Sequence, residues 1–283
     1  MRLCLTFARL SSTARDLSHV RSLLFAPGSD ERKLRKALES AADTVVADLE
    51  DAVAPAEKEA ARELVARIRP PIVRLNGAGT RWFADDLAMA EGLSLDAVVL
   101  PKATPESIAA LGRDGPPVIA IVETAQGVRL AYETACAPRV AALILGAVDL
   151  AAEVGLEPRP DGLEILYARS KIVLDSVAAV IRPPFDIVHV DTDDDEGLEA
   201  ECRLARSLGF RGKACIHPQQ VPIVNRVFAP SKADVEWARK VIETYDQGVS
   251  EGRGAVALNG AMIDLPVVER ARRVLAEAEG GKA

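Results

Sequence analysis

Two carboxylates stand at the ends of two apolar runs: Glu123 closes Pro-Val-Ile-Ala-Ile-Val-Glu-Thr, and Asp149 ends Ala-Leu-Ile-Leu-Gly-Ala-Val-Asp-Leu. Val118–Val122 is short, continuously apolar and rich in β-branched residues, the pattern of a strand buried on both faces, and residues 143–145 read alike. An acid just past each strand could meet its counterpart in space, although 26 residues separate the two in sequence. Such a pair suits a hard divalent cation, usually Mg²⁺, which takes one or two carboxylates and keeps room for water and substrate oxygens. Two solvated loop acids would look the same, and the pair alone leaves both readings open.

Positioning these acids requires a scaffold, and further strand candidates supply it at residues 21–26, 44–47, 71–75, 97–100, 186–190 and 213–216. Eight short apolar strands alternating with helical stretches predict parallel βα units. Their number favours a closed (β/α)₈ TIM barrel over an open doubly wound sheet. No Gly-x-Gly-x-x-Gly follows the first strand to argue otherwise. Active sites of such barrels lie at the C-terminal ends of the strands. Reading off those ends gives Asp48, Glu50 and Asp51 after the second strand, Arg74 in the third, Lys102 after the fourth and His217 after the eighth. Arg21 sits at the start of the first. Acids for a cation and arginines for anions suit a metal-bound oxo acid or hydroxy acid, since the planar guanidinium fork donates two parallel hydrogen bonds to a carboxylate.

The barrel is expected over residues 20–246, with a C-terminal helical extension over 247–283 and a tail over 1–19. In that tail Arg2, Arg9 and Arg15 interleave with apolar residues, faintly like a transit peptide, though an irregular tail explains them better. The helix at 232–245 is expected to pack outside the barrel or complete its last unit. Residues 259–263 read as a loop and 265–278 as a final helix. At 283 residues, 49% hydrophobic, the chain suits one large aliphatic core. A net charge of -7 argues against a general nucleic-acid or membrane surface. No apolar run approaches the roughly 20 residues that cross a bilayer. The four scattered cysteines read as free thiols of a reducing cytoplasm.

Several stretches carry a resemblance. Arg21-Ser-Leu-Leu-Phe-Ala-Pro-Gly-Ser, Asp48-Leu-Glu-Asp-Ala-Val-Ala-Pro, Val73-Arg-Leu-Asn-Gly, Ile121-Val-Glu-Thr-Ala, Gly146-Ala-Val-Asp-Leu-Ala-Ala-Glu, Gly212-Lys-Ala-Cys-Ile-His-Pro-Gln and Asn259-Gly-Ala-Met-Ile-Asp-Leu-Pro resemble, in order and spacing, the citrate lyase beta-subunit family. That family includes malyl-CoA and citramalyl-CoA lyases. The resemblance implies Mg²⁺ held by Glu123 and Asp149, and an oxo acid carboxylate bound by Arg74. It implies waters oriented by Glu50 and Asp51, and Arg21 near the reacting carbonyl. Asp264 matches an acid that moves a proton at the acyl methyl carbon, in some relatives in a neighbouring subunit's site. Residues 213–218, with Lys213 and His217, match a stretch beside the CoA. A homotrimer and a CoA or carrier-protein thioester are also implied. Read locally, His217 suits a structural hydrogen bond and Asp264 a helix cap.

The resulting expectation is a cytoplasmic Mg²⁺-dependent carbon–carbon lyase. It would cleave a short 3-hydroxyacyl thioester, such as citryl-CoA, into an acetyl thioester and a 2-oxo acid such as oxaloacetate. Its alternatives are a thioester-free class II aldolase and a subunit active only within a larger lyase complex.

Overall fold

The computed structural model describes residues 17–280. Two compact units divide between Arg226 and Val227. The first is built on seven strands: β1 (Ser22–Pro27), β2 (Thr44–Asp48), β3 (Ile72–Arg74), β4 (Ala97–Leu100), β5 (Val118–Val122), β6 (Val140–Leu145) and β7 (Lys213–Cys215). They pair in parallel in the order β6-β5-β4-β3-β2-β1-β7. All of β4 and β5 is buried, as apolar strands covered on both faces must be. Leu23, Val46, Ile72, Val99, Ile119, Ile121 and Ile144 share one cluster with Phe185 and fill the centre.

An eighth strand at 186–190 does not form. Phe185 and Asp186 instead make single bridges to Ile144 and Lys213, stitching β6 to β7 so that the sheet nearly closes. Pro183 and Pro184 stand just before and carry no amide hydrogen, so backwards along β6 the next donor is the Arg182 amide, which reaches the Ala141 carbonyl at 3.2 Å. The result is an α/β fold with seven parallel strands in a nearly closed, TIM-like barrel surrounded by helices. Its lower end begins before residue 20: Leu17–His19 forms a short 3₁₀ turn, and Leu17 and Val20 join the central cluster. Arg182 ties that turn down by donating to the carbonyls of Leu17, at 2.7 Å, and Val20. Arg2, Cys4, Arg9 and Arg15 of the tail lie outside the described residues.

The second unit contains a helix, Lys232–Ser250, an antiparallel hairpin of β8 (Val256–Leu258) and β9 (Ala261–Ile263), and a last helix, Leu265–Gly280. Ala238, Val241, Val256, Ile263, Val268 and Ala271 form its core. The Lys232–Ser250 helix packs on the last helix within this unit. Residues 259–263, expected to be a loop, turn the hairpin at Asn259-Gly260, whose φ values of 52° and 81° are those of a tight primed turn.

Candidate active site

The C-terminal ends of β2 to β6 deliver their polar residues to one mouth. Glu123 directly follows β5 and is only 4% exposed. Its Oε1 accepts the backbone N–H of Lys102 at 2.7 Å. Burial, reinforced by the charges of Glu50 and Asp149, pushes its carboxyl up to about 7. Gly146, at the end of β6, makes room for it. A Cβ there would lie 2.5 Å from Glu123 Cβ and 2.6 Å from Oε2, closer than any side chain tolerates. Asp149 lies in the first turn of the helix Ala147–Val154, partly open to solvent.

Opposite these two, Asp48 ends β2 and folds the acidic loop that follows. Its Oδ1 accepts the Glu50 amide at 2.8 Å and its Oδ2 the Ala52 amide at 3.2 Å. Asp48 also holds the Arg74 fork, through Nε at 2.6 Å and Nη2 at 2.5 Å. The remaining nitrogen of Arg74, Nη1, faces Glu50 at 2.9 Å and Asp51 at 3.3 Å, and the guanidinium lies 5.5 Å from the centre of the Phe25 ring. Glu50 Oε2 is near enough to Arg74 to ion-pair but lacks an aligned hydrogen bond. Burial raises its carboxyl to about 7 despite Arg74. Beneath the loop, the buried Lys58 ammonium donates to the carbonyls of Leu49 at 2.6 Å and Glu50 at 2.7 Å and to Asn76 Oδ1 at 2.7 Å. A cavity of about 450 Å³ opens here, lined by Arg74, Glu123, Asp149 and Asp51 on its polar side and by Phe25 and Ile216 among its apolar walls.

Among the described residues no three His, Cys, Asp or Glu side chains converge as a ready-made metal cage. The donors still fit a Mg²⁺-like ion, which needs only one or two carboxylates and fills its octahedron with water and substrate. Two nearby carboxyls that burial raises to about 7, and five acids against the cations Arg74 and Lys102, are what such an ion would relieve.

The structure brings Glu50, Arg74, Glu123 and Asp149 together, places Arg21 and Lys213 away from that mouth, and gives His217 and Asp264 local partners. Arg21 precedes β1 and so sits at the opposite end of the barrel. Its guanidinium is paired with Asp43 at 2.9 Å and donates to the Asn225 carbonyl at 3.4 Å. Strand polarity alone keeps it from a carbonyl reacting at the mouth. Lys213 opens β7 beside Ser22, fully buried, with Nζ 3.1 Å from Asp186 and 2.8 Å from Glu201. Such a side chain has no route to a CoA. His217 follows β7, but its Nδ1 accepts the Gln219 amide at 3.3 Å as the cap of a short turn, and Ile216 provides the cavity wall. Asp264 belongs to the second unit, where its Oδ1 accepts the Val267 amide at 3.4 Å and caps the last helix. Lys58, Phe25 and Gly146 carry no functional signal in the sequence beyond their neighbourhood to the acids.

Comparison with known proteins gives consistent findings. A family model described as HpcH/HpaI aldolase/citrate lyase matches residues 21–218. The chain is 40% identical over 271 residues to the (3S)-malyl-CoA thioesterase of Cereibacter sphaeroides, covering 92% of this chain and 94% of that one. It is 34% identical over 282 residues to citrate lyase subunit beta of Escherichia coli, covering 92% and 93%. Among solved structures it is similar to CitE of Mycobacterium tuberculosis in complex with magnesium, acetoacetate and coenzyme A. The TM-score is 0.82 at 38% identity, over 93% of this chain and 99% of that one.

Proposed function

The chain belongs to the HpcH/HpaI aldolase/citrate lyase family, and we propose that this lyase uses Mg²⁺ to cleave the C2–C3 bond of a short 3-hydroxyacyl-CoA, releasing acetyl-CoA and a 2-oxo acid. The observation carrying this reading is the juxtaposition of two cation-seeking carboxylates, Glu123 and Asp149, with Arg74 across a cavity of about 450 Å³. The similar structures from Mycobacterium tuberculosis, one complexed with oxaloacetate and magnesium and one with magnesium, acetoacetate and coenzyme A, support it. Held by Glu123 and Asp149, Mg²⁺ would supply Lewis acidity to the substrate's hydroxyl and adjoining carboxylate.

The protein's own groups would do the rest. Arg74 Nη1, the corner of the fork that Asp48 leaves free, would hold the carboxylate of the oxo acid being formed. Glu50, with a carboxyl near 7, is matched to take the hydroxyl proton as the carbon–carbon bond breaks and its electrons pass into the thioester enolate. Lys58 would keep Glu50 in place by gripping its backbone carbonyl. Asp264 remains the proposed donor of a proton to the enolate carbon, which completes the acetyl group and balances the proton removed. The apolar wall of Phe25 and Ile216 would keep water from that enolate.

The relative named (3S)-malyl-CoA thioesterase favours a second reading, in which water attacks the thioester and free CoA and a hydroxy acid leave. One assay separates the two. Purified chain is given malyl-, citramalyl- and citryl-CoA with Mg²⁺ or EDTA, and both oxo acid and free thiol are followed. Oxo acid without thiol, abolished by EDTA, is the expected result. Thiol without oxo acid would establish hydrolysis, and neither product would shift the reading to the thioester-free aldolase or to a subunit requiring partners. Cytoplasmic residence is proposed from the free Cys136, Cys202 and Cys215, and a homotrimer from family resemblance, to be checked by native mass.

A further inference from the structure

Lys102 occupies an unusual place in the mouth. It follows β4 and Pro101 in a left-handed backbone conformation, φ 49°, that a side chain bearing a Cβ rarely adopts. That conformation turns its N–H onto Glu123 Oε1 at 2.7 Å, so the backbone of residue 102 orients the first carboxylate of the site. The side chain then reaches across to the others. Its ammonium lies 3.5 Å from Glu50 Oε1 and 3.7 Å from Asp149 Oδ1, bridging acids contributed after β2 and after β6. The side chain is 51% exposed, so water is available to it, yet it points at the acids. The contacts are ion pairs near the outer limit of such pairing, which is the arrangement of a counter-ion that can leave.

We propose that Lys102 is a tethered counter-cation, neutralising Glu50 and Asp149 until a divalent cation displaces it, so that residue 102 sets the divalent concentration needed to load the site and keeps monovalent cations out. This rests on Glu123 and Asp149 being the cation's carboxylates. The tether gives the ammonium a local concentration of millimolar order or above. A monovalent ion brings the same charge without that advantage. A divalent ion brings twice the charge and binds both carboxylates directly. Once displaced, the ammonium stays at the entrance, where it would meet an anionic substrate only after the ion is in place.

The test is calorimetric titration of Mg²⁺ into the full chain, as wild type and as Lys102→Met, which keeps the apolar stem. Removing the positive charge that competes for these carboxylates should tighten Mg²⁺ binding roughly tenfold. About 0.1 M KCl should weaken binding more in the variant than in the wild type. On the wild type alone, acylation of Lys102 by an amine-reactive ester, read by peptide mass spectrometry, should rise as Mg²⁺ saturates. A variant that binds Mg²⁺ no more tightly than wild type overturns the proposal, as does acylation that stays level. Failure of the wild type to bind Mg²⁺ at all is a different result, visible without any variant, and it refutes the cation assignment beneath the proposal.

Discussion

Stripping divalent cations should make the barrel less stable as the pH rises from 5 to 8, and Glu123 should account for a measurable part of that loss. Its carboxyl titrates at about 7 in the folded chain against 4.5 in a model peptide. The sign follows from where the proton prefers to sit. Below 4.5 folded and unfolded chains both hold it, and the stabilisation is fully present. Between 4.5 and 7 the unfolded chain releases it first, and the advantage is gone once the pH passes 7. A shift of this size corresponds to about 3 kcal/mol. Glu50 is raised similarly, but its charge also helps to raise Glu123, so the two effects overlap and do not add. Denaturant unfolding in EDTA at pH 5, 6, 7 and 8 would measure this. Trp237→Phe leaves Trp82 as the only tryptophan, in the first unit, so fluorescence follows the barrel. In that background Glu123→Gln, whose amide oxygen can still accept from Lys102, should flatten the pH dependence by about 2–3 kcal/mol. Excess Mg²⁺ should flatten the wild type too. Identical slopes for wild type and Glu123→Gln would refute the idea that Glu123 is a destabilised, cation-seeking acid.

Three substitutions separate the site from its scaffold. Gly146→Ala places a methyl 2.5 Å from Glu123 Cβ; overpacking of this kind costs about 1–3 kcal/mol, and Mg²⁺ affinity measured by calorimetry should fall in step as Glu123 is pushed aside. Lys58→Met takes a donor from three buried acceptors, of which the Glu50 carbonyl keeps the Val53 amide, so thermal unfolding should show a loss of about 1–3 kcal/mol, and kcat should drop while KM holds, because Glu50 loses its support. Lys213→Ala exposes Asp186 and Glu201 to an uncompensated charge; unfolding should register about 3–5 kcal/mol, whereas KM for the thioester in the surviving fold should be unchanged, which a CoA-binding lysine would not allow.

Strand polarity decided what could be read ahead of the structure. An acid that directly follows a fully apolar strand can emerge only at its C-terminal end, so Glu123, Asp149 and the Asp48 loop were legible from position alone. The same rule tells against Arg21 and Lys213, which precede or open their strands, and motif resemblance outweighed it for both. The hairpin at Asn259-Gly260 had its warning in its turn residues, whereas nothing in residues 187–190 signalled that the pairing would stop at Asp186. Lys58 offered no warning. A lysine in a surface-type helix reads as solvated, and only tertiary packing sets it under the Glu50 carbonyl and 5.1 Å from the centre of the Trp82 ring.

Charge balance supplies the criterion that motifs lack. Two of the clusters of ionisable side chains in the first unit show the contrast. Between β7 and the helices Leu166–Ala178 and Asp195–Leu208, the cations Arg169 and Lys213 meet the anions Asp186 and Glu201 in equal number, with Arg169 Nε 3.0 Å from Asp186 and the core of the cluster fully buried. Every charge there has its partner, and a further ion would only disturb it. At the mouth five carboxylates, Asp48, Glu50, Asp51, Glu123 and Asp149, share Arg74 and Lys102. That imbalance cannot serve stability, because like charges held together in a half-buried cavity raise the free energy of the fold. On the proposed function a divalent cation would offset that surplus, so an excess of acids is the mark of a candidate reaction centre and a balanced cluster that of a supporting wall.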